Sequence, residues 1–179
     1  MKQIYFETID STSAYLKCHY HNLDDLTFVS AGYQTQGKGR NNRIWYSDNN
    51  NLLFSLLLKD DKYFDLTNAI SIVSAYSILE VLQSYNINNV SIKWPNDVYV
   101  GDKKICGILL EGISSQSIEC LIIGVGINVN QNEFDKEYIH APTSMKAILC
   151  KDIDINEIVI SVEDDRTYPE NQGLVSSRA

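Results

Sequence analysis

Four short extended segments follow one another between residues 89 and 130: "NVSIKW", "DVYV", "KICGILLEGI" and "IECLIIGVGINVN", separated only by "PN", "GDK" and "SSQS". Gaps this short cannot hold a helical crossover, so successive strands must fold back on one another as an antiparallel meander. A further run, "NLLFSLLLK" at 51–59, is almost continuously apolar, as a central strand buried on both faces requires. "QIYFE" at 3–7 and "LTFVSAGY" at 26–33 read as two more strands. Between them "TIDSTSAYLK" offers Asp10, Ser11 and Thr12 as helix caps ahead of Ala14, Tyr15 and Leu16, with the helix ending near His21. From Asp65 to Tyr85, apolar residues at 66, 69, 70, 73, 78, 81 and 82 approximate a helical face, and Asp65 sits near the positive end of its dipole. This order gives an α+β fold: a mixed, largely antiparallel sheet with helices on one face.

The 179 residues suffice for one domain, read as 1–160. After Ile160 the stretch "SVEDDRTYPENQGLVSSRA" loses periodicity and turns polar, so 161–179 reads as a disordered or non-native tail. No apolar run approaches the roughly 18 to 20 residues of a membrane span, and "MKQIYFETIDSTS" has no signal-peptide apolar region, so a cytoplasmic protein without membrane attachment is expected. Cys18, Cys106, Cys120 and Cys150 lie far apart without a CxxC pair, which argues for reduced thiols. His19 and His21 lack a third ligand in register, so no metal site is expected. A formal charge of −8 repels a phosphate backbone and disfavours DNA as a partner.

Against that acidic background, "YQTQGKGRNNRIW" at 33–45 gathers three cations without one carboxylate. The chain has eleven lysines and four arginines, and up to residue 165 the only arginines are Arg40 and Arg43. Where lysine is the default cation, arginine suggests a fork that grips phosphate or carboxylate with two bonds. A Walker A loop fails because no Ser or Thr follows Lys38, and the GxGxxG pattern fails because Asn42 stands at its third glycine. What remains is a flexible cationic loop between core strands, with Trp45 at its exit, suited to an anion carrying an aromatic ring. In "IKWPND", Val90, Ile92 and Trp94 face one side of a strand while Ser91 and Lys93 face the other. Lys93 then either faces a ligand or protects a sheet edge. In "IIGVGINVN", Gly124 and Gly126 either leave room for a ligand or mark a bulge, and the hydroxyls of "DSTS" either cap a helix or turn toward a polar ligand group.

Taken together, "DSTS", "YQTQGKGRNNRIW", "IKWPNDVYV", "KICGILLEG" and "IIGVGINVN" occur in the order and spacing of one family. Over roughly residues 1 to 150 the chain resembles the catalytic domain of biotin protein ligases, also called biotin–acetyl-CoA-carboxylase ligases, of the type without a DNA-binding domain. The resemblance implies a fold related to class II aminoacyl-tRNA synthetases. It implies activation of biotin by ATP to biotinyl-5′-AMP, then transfer to one lysine of a biotin carboxyl carrier protein, with Mg²⁺ arriving on the nucleotide. It gives Lys93, Arg40 and Arg43 the catalytic charges, and Ser11, Thr12, Ser13 and Gln34 the ureido head of biotin. Gly107, Ile108, Leu109, Gly124 and Gly126 would contact the ligand, Trp45 the adenine, and Asn128 the phosphates. Gly37, Lys38 and Gly39 would belong to a loop that is mobile when empty and closes over the adenylate. Lys38 replaces an arginine common in the family, Ser13 an asparagine, and the tail stands where a small C-terminal β-barrel is usual. The same resemblance leaves as alternatives a truncated biotin-binding form with little turnover and a lipoate or octanoate ligase. It is compatible with a homodimer.

Overall fold

Leu52–Leu58 (β3) is the strand around which the other elements are arranged, because both of its faces are apolar. The computed structural model describes residues 2–46, 48–134 and 138–163. Its seven strands are Gln3–Ile9 (β1), Phe28–Gln34 (β2), β3, Val90–Lys93 (β4), Asp97–Val100 (β5), Lys103–Ser114 (β6) and Ile118–Ile127 (β7). They form one sheet in the order β1-β2-β3-β7-β6-β5-β4. Only β1 and β2 pair in parallel; every other neighbouring pair is antiparallel, and β4 to β7 form the expected meander.

Among the described residues four α-helices pack on this sheet: Thr12–His19 (α1), Thr67–Ser84 (α2), Met145–Leu149 (α3) and Ile155–Glu163 (α4). They do not all lie on one face, as the sequence led us to expect. Ala75, Ile78 and Leu82 of α2 join Phe28, Phe54, Leu58, Leu121 and Ile123 in the larger core, with Met145 of α3 and Ile158 of α4. Leu16 of α1 instead packs with Val29, Leu57 and Ile122, residues that alternate with the first set along the same strands. The reason is already present in β3: a strand apolar on both sides needs a covering layer on each.

Neither α3 nor α4 was foreseen, α3 being too short at five residues to show a period. The last of the described helices, α4, runs through the expected domain end at 160 to Glu163. Residues 164–179, the remainder of the expected tail, lie outside the described residues. No helix among the described residues is long and apolar enough to cross a membrane.

Candidate functional site

A cavity of about 520 Å³ opens on the sheet face that α1 covers, just beyond the N-terminus of that helix. Its size lies in the range of small-molecule sites. Ser11 caps α1, its Oγ accepting from the Ala14 N–H at 3.3 Å. The next two hydroxyls turn toward the sheet: Thr12 Oγ1 and Ser13 Oγ each lie 2.8 Å from Ser55 Oγ on β3. Gln34, at the end of β2, accepts from the Thr12 backbone N–H at 2.8 Å through its side-chain oxygen. Within "DSTS", Ser11 is thus the cap that the sequence offered. Gly124 of β7 keeps this floor in place, since a Cβ there would come 2.7 Å from Ser13 Oγ.

The cationic loop forms a small hairpin over the cavity. Trp45 N–H donates to the Gly37 carbonyl at 2.9 Å, Gly39 N–H to the Arg43 carbonyl at 2.8 Å, and Lys38 bridges Ile44. The turn at Arg40–Asn42 is closed by Asn41 at φ 55°, a left-handed conformation that asparagine tolerates. At its tip Arg40 Nη1 donates to Asn96 Oδ1 at 3.0 Å, and Asn96 Nδ2 donates to the Ile108 carbonyl at 2.6 Å. The tip is thus tied to the β4–β5 connection on the far side of the mouth. Among the described residues no ion pair engages Lys38, Arg40 or Arg43, so their charge faces the opening.

Trp45 occupies the space that Gly107 and Gly126 leave above the sheet. A Cβ at Gly126 would come 2.5 Å from the indole and one at Gly107 2.7 Å from it. The glycines expected to admit a ligand thus hold this ring in the present arrangement, and its Nε1 is buried without a hydrogen-bond partner. Over the ring, 5.4 Å from its centre, lies the ammonium of Lys104, which also pairs with Asp97 Oδ1 at 2.7 Å. Lys104 backbone groups pair with Ala141 and Thr143, which brings Ile139 and His140 to the cavity wall. Asn128, 5% exposed, lines the cavity and donates its amide to the Thr143 carbonyl at 3.0 Å.

Of the residues singled out from sequence, Ser11, Thr12, Ser13, Gln34, Lys38, Gly39, Arg40, Arg43, Trp45, Gly107, Ile108, Leu109, Gly124, Gly126 and Asn128 all line this cavity. Gly37 does not; it is buried at the base of the hairpin, where a Cβ would meet the Trp45 carbonyl at 2.7 Å. Lys93 is not among the lining residues either. It pairs with Asp97 across β4 and β5 and so shares the cavity's face, but its ammonium rests 5.0 Å above the Tyr99 ring. Tyr99 is nearly buried, and burial, with Asp97 nearby, raises its phenol above the ordinary value.

Sequence reasoning missed the polar lining residues Asn41, Tyr46, Ser55, Asn96, Asp97, Lys104, Tyr138 and His140. Asn96 and Asp97 stood inside a motif already quoted, and Ser55 was visible as the one hydroxyl in "LLFSLLL". Lys104 had no such signal. Strict alternation from Gly107 and Leu109 puts it on the opposite face, but Val98 pairs with Cys106 and Tyr99 with Lys104. Ile105 is the extra residue of a β-bulge, and the bulge turns Lys104 into the cavity.

The chain belongs to the biotin/lipoate A/B protein ligase family, whose model matches residues 5–128. It is similar to the bifunctional ligase/repressor BirA of Bacillus subtilis (strain 168), at 33% identity over 156 residues, 84% of this chain and 48% of that protein. To BirA of Escherichia coli (strain K12) the identity is 32% over 135 residues, 74% of this chain and 42% of that protein. The structure of biotin protein ligase from Aquifex aeolicus in complex with biotin and ATP superposes with a TM-score of 0.79 at 37% identity, covering 90% of this chain and 66% of that one. The chain thus spans somewhat less than half the length of these curated relatives.

Proposed function

We propose that this chain is the catalytic part of an ATP-dependent biotin protein ligase, with residues 1–160 as the catalytic unit. The observation that carries the proposal is the joining, in one cavity, of a neutral hydroxyl and amide floor to a mouth where Lys38, Arg40 and Arg43 have no ion-pair partner among the described residues. A ligand with a polar uncharged head and an anionic tail fits that gradient, and biotin has both. Its ureido head would lie on Ser11, Thr12, Ser13 and Gln34, and its carboxylate would extend toward Arg40, Arg43 and Lys104. The Aquifex relative, solved with biotin and ATP, supports the pairing of ligands.

In the first step a biotin carboxylate oxygen attacks the α-phosphorus of ATP. The bond to the β-phosphate bridging oxygen breaks, giving biotinyl-5′-AMP and pyrophosphate. Anion meets polyanion here, so rate depends on fixed positive charge where they converge. At an effective dielectric of about 20, a cation about 4 Å from an anion contributes on the order of 4 kcal/mol before screening. Lys104 rests on β6, held by Asp97 and stacked on Trp45, so its ammonium is oriented before the substrates arrive. Lys93 lies behind it on the same face and adds to the local field from over Tyr99. Asp97 is the only Asp or Glu among the described lining residues, and no cluster of three or more His, Cys, Asp or Glu side chains gathers among them. With that one carboxylate already paired with Lys104, a Mg²⁺ would be held by the nucleotide phosphates, where it would neutralise their charge.

In the second step a lysine amine of a biotin carboxyl carrier protein attacks the biotinyl carbonyl, AMP leaves, and a proton is lost. Until then the mixed anhydride must be shielded from water, which the hairpin of 37–45 and its Arg40–Asn96 tie accomplish. The polar floor favours biotin over lipoate, whose dithiolane offers no hydrogen-bonding group to it. The test is incubation with labelled biotin, ATP and a carrier domain. Biotinyl-5′-AMP and a biotinylated carrier lysine are expected, with no competition from equimolar lipoate. Binding of biotin without adenylate formation would reduce the chain to a biotin-binding form.

A further inference from the structure

The three hydroxyls on the cavity floor can be assigned one proton direction, and the assignment runs through Ser55. The Thr12 backbone N–H can only donate, so the Gln34 atom 2.8 Å from it is the amide oxygen. That oxygen can only accept, so the Thr12 hydroxyl at 3.2 Å gives its single proton to it. The 2.8 Å contact between Thr12 Oγ1 and Ser55 Oγ then needs the Ser55 proton. With that proton committed, the 2.8 Å contact between Ser55 and Ser13 needs the proton of Ser13. The chain therefore runs Ser13 to Ser55 to Thr12 to Gln34. It leaves Ser13 with lone pairs only, and the Gln34 amide with its nitrogen-bound protons.

Ser55 and Thr12 are 1% and 2% exposed, so bulk water does not reorient them. Gly124 reinforces the arrangement, because its missing Cβ is what leaves Ser13 Oγ its position. We infer that Ser55 is a positioning residue that fixes the polarity of the head-group subsite, so that the floor accepts an N–H at Ser13 and donates from Gln34. A cyclic urea offers an N–H beside a carbonyl and matches this pattern; a dithiolane or an alkyl end offers neither group. The inference rests on the biotin reading above and specifies how this site selects its acid.

Two substitutions separate it from a packing role. Ser55→Ala removes the donor to Thr12 and frees the Ser13 proton to point into the cavity. Calorimetric titration should show biotin affinity falling about tenfold or more, with ATP affinity and residual lipoate binding within about twofold of wild type. Ser55→Cys refills nearly the same space with a far weaker donor, and should match wild type in melting temperature while resembling Ser55→Ala in biotin affinity. Recovery of biotin affinity by Ser55→Cys would overturn the inference, as would equal loss of biotin and ATP binding in Ser55→Ala. If the wild type binds biotin and Ser55→Ala binds it equally well, this inference alone falls. A wild-type chain that did not bind biotin would overturn the functional reading as well.

Discussion

Lys93 and Lys104 face the same side of the sheet, yet only Lys104 reaches the cavity, because a bulge at Ile105 turns it there. The residue bearing most of the charge stabilisation should therefore be Lys104. Lys104→Ala is expected to lower the adenylation rate by about 10²-fold or more, the magnitude seen when one preorganised donor to a developing charge is removed. Lys93→Ala should cost less than about tenfold and leave the fold intact, since Lys93 is exposed and its ammonium rests over Tyr99 outside the cavity lining. Rates of biotin-dependent pyrophosphate exchange for both variants decide the matter; a larger loss at Lys93 would reverse the assignment. At this scale the sequence disclosed residues whose type is unusual for their surroundings. Arg40 and Arg43 stood out against lysine, and Gly124 and Gly126 against an apolar strand. It could not disclose a residue whose role comes from a local break in alternation, because periodicity is the tool by which faces are read.

The strands were legible as elements, since their apolar runs and the two- to four-residue gaps between the last four fix both identity and pairing. The hairpin inside the glycine-rich loop was not. It depends on an asparagine at positive φ and on Trp45 finding its seat above Gly126, contacts that no local pattern encodes. That seat makes Gly126→Ala informative. The new methyl would meet the indole at 2.5 Å from a strand paired on both sides, so the ring must yield. In a Trp94→Phe background, where Trp45 is the only tryptophan, its emission should shift to the red. Stability should fall by about 1–3 kcal/mol, as overpacking does, and nucleotide affinity should weaken with it. Unchanged emission would mean that the ring does not rest on Gly126 in solution.

Two cores on opposite faces of one sheet hold the molecule together, and the smaller one carries α1, and with it the cavity floor. Its outer anchor is Tyr20, whose hydroxyl donates to Glu119 at the start of β7. That bond, with burial and the Glu119 charge, raises the phenol from 10.0 to about 12. Hydrogen bonds from Ser115 and Tyr20 hold the Glu119 carboxyl below its ordinary value. The signs differ. The phenol's contribution is complete below pH 10.0 and is lost as pH rises toward about 12. The carboxylate's contribution is complete above its ordinary 4.5 and is lost as pH falls through the lower folded value. Urea midpoints followed against pH should show Tyr20→Phe flattening the alkaline limb, and Glu119→Gln flattening both limbs. Persistence of the full alkaline limb in Tyr20→Phe would show that another group causes it. At this largest scale the class of fold was readable from element order. The distribution of helices was misjudged because the two-sided burial of β3 was recognised without its consequence, a second covering layer.

In the proposed reaction, side-chain cations at one mouth bring a vitamin carboxylate and a nucleotide phosphate together. Exchange of labelled pyrophosphate into ATP measures that step alone, without a carrier protein. The wild-type chain should exchange label only when biotin is present, and Lys104→Ala should retain biotin binding while losing the exchange. Exchange that proceeds equally without biotin, or that survives undiminished in Lys104→Ala, would contradict the account.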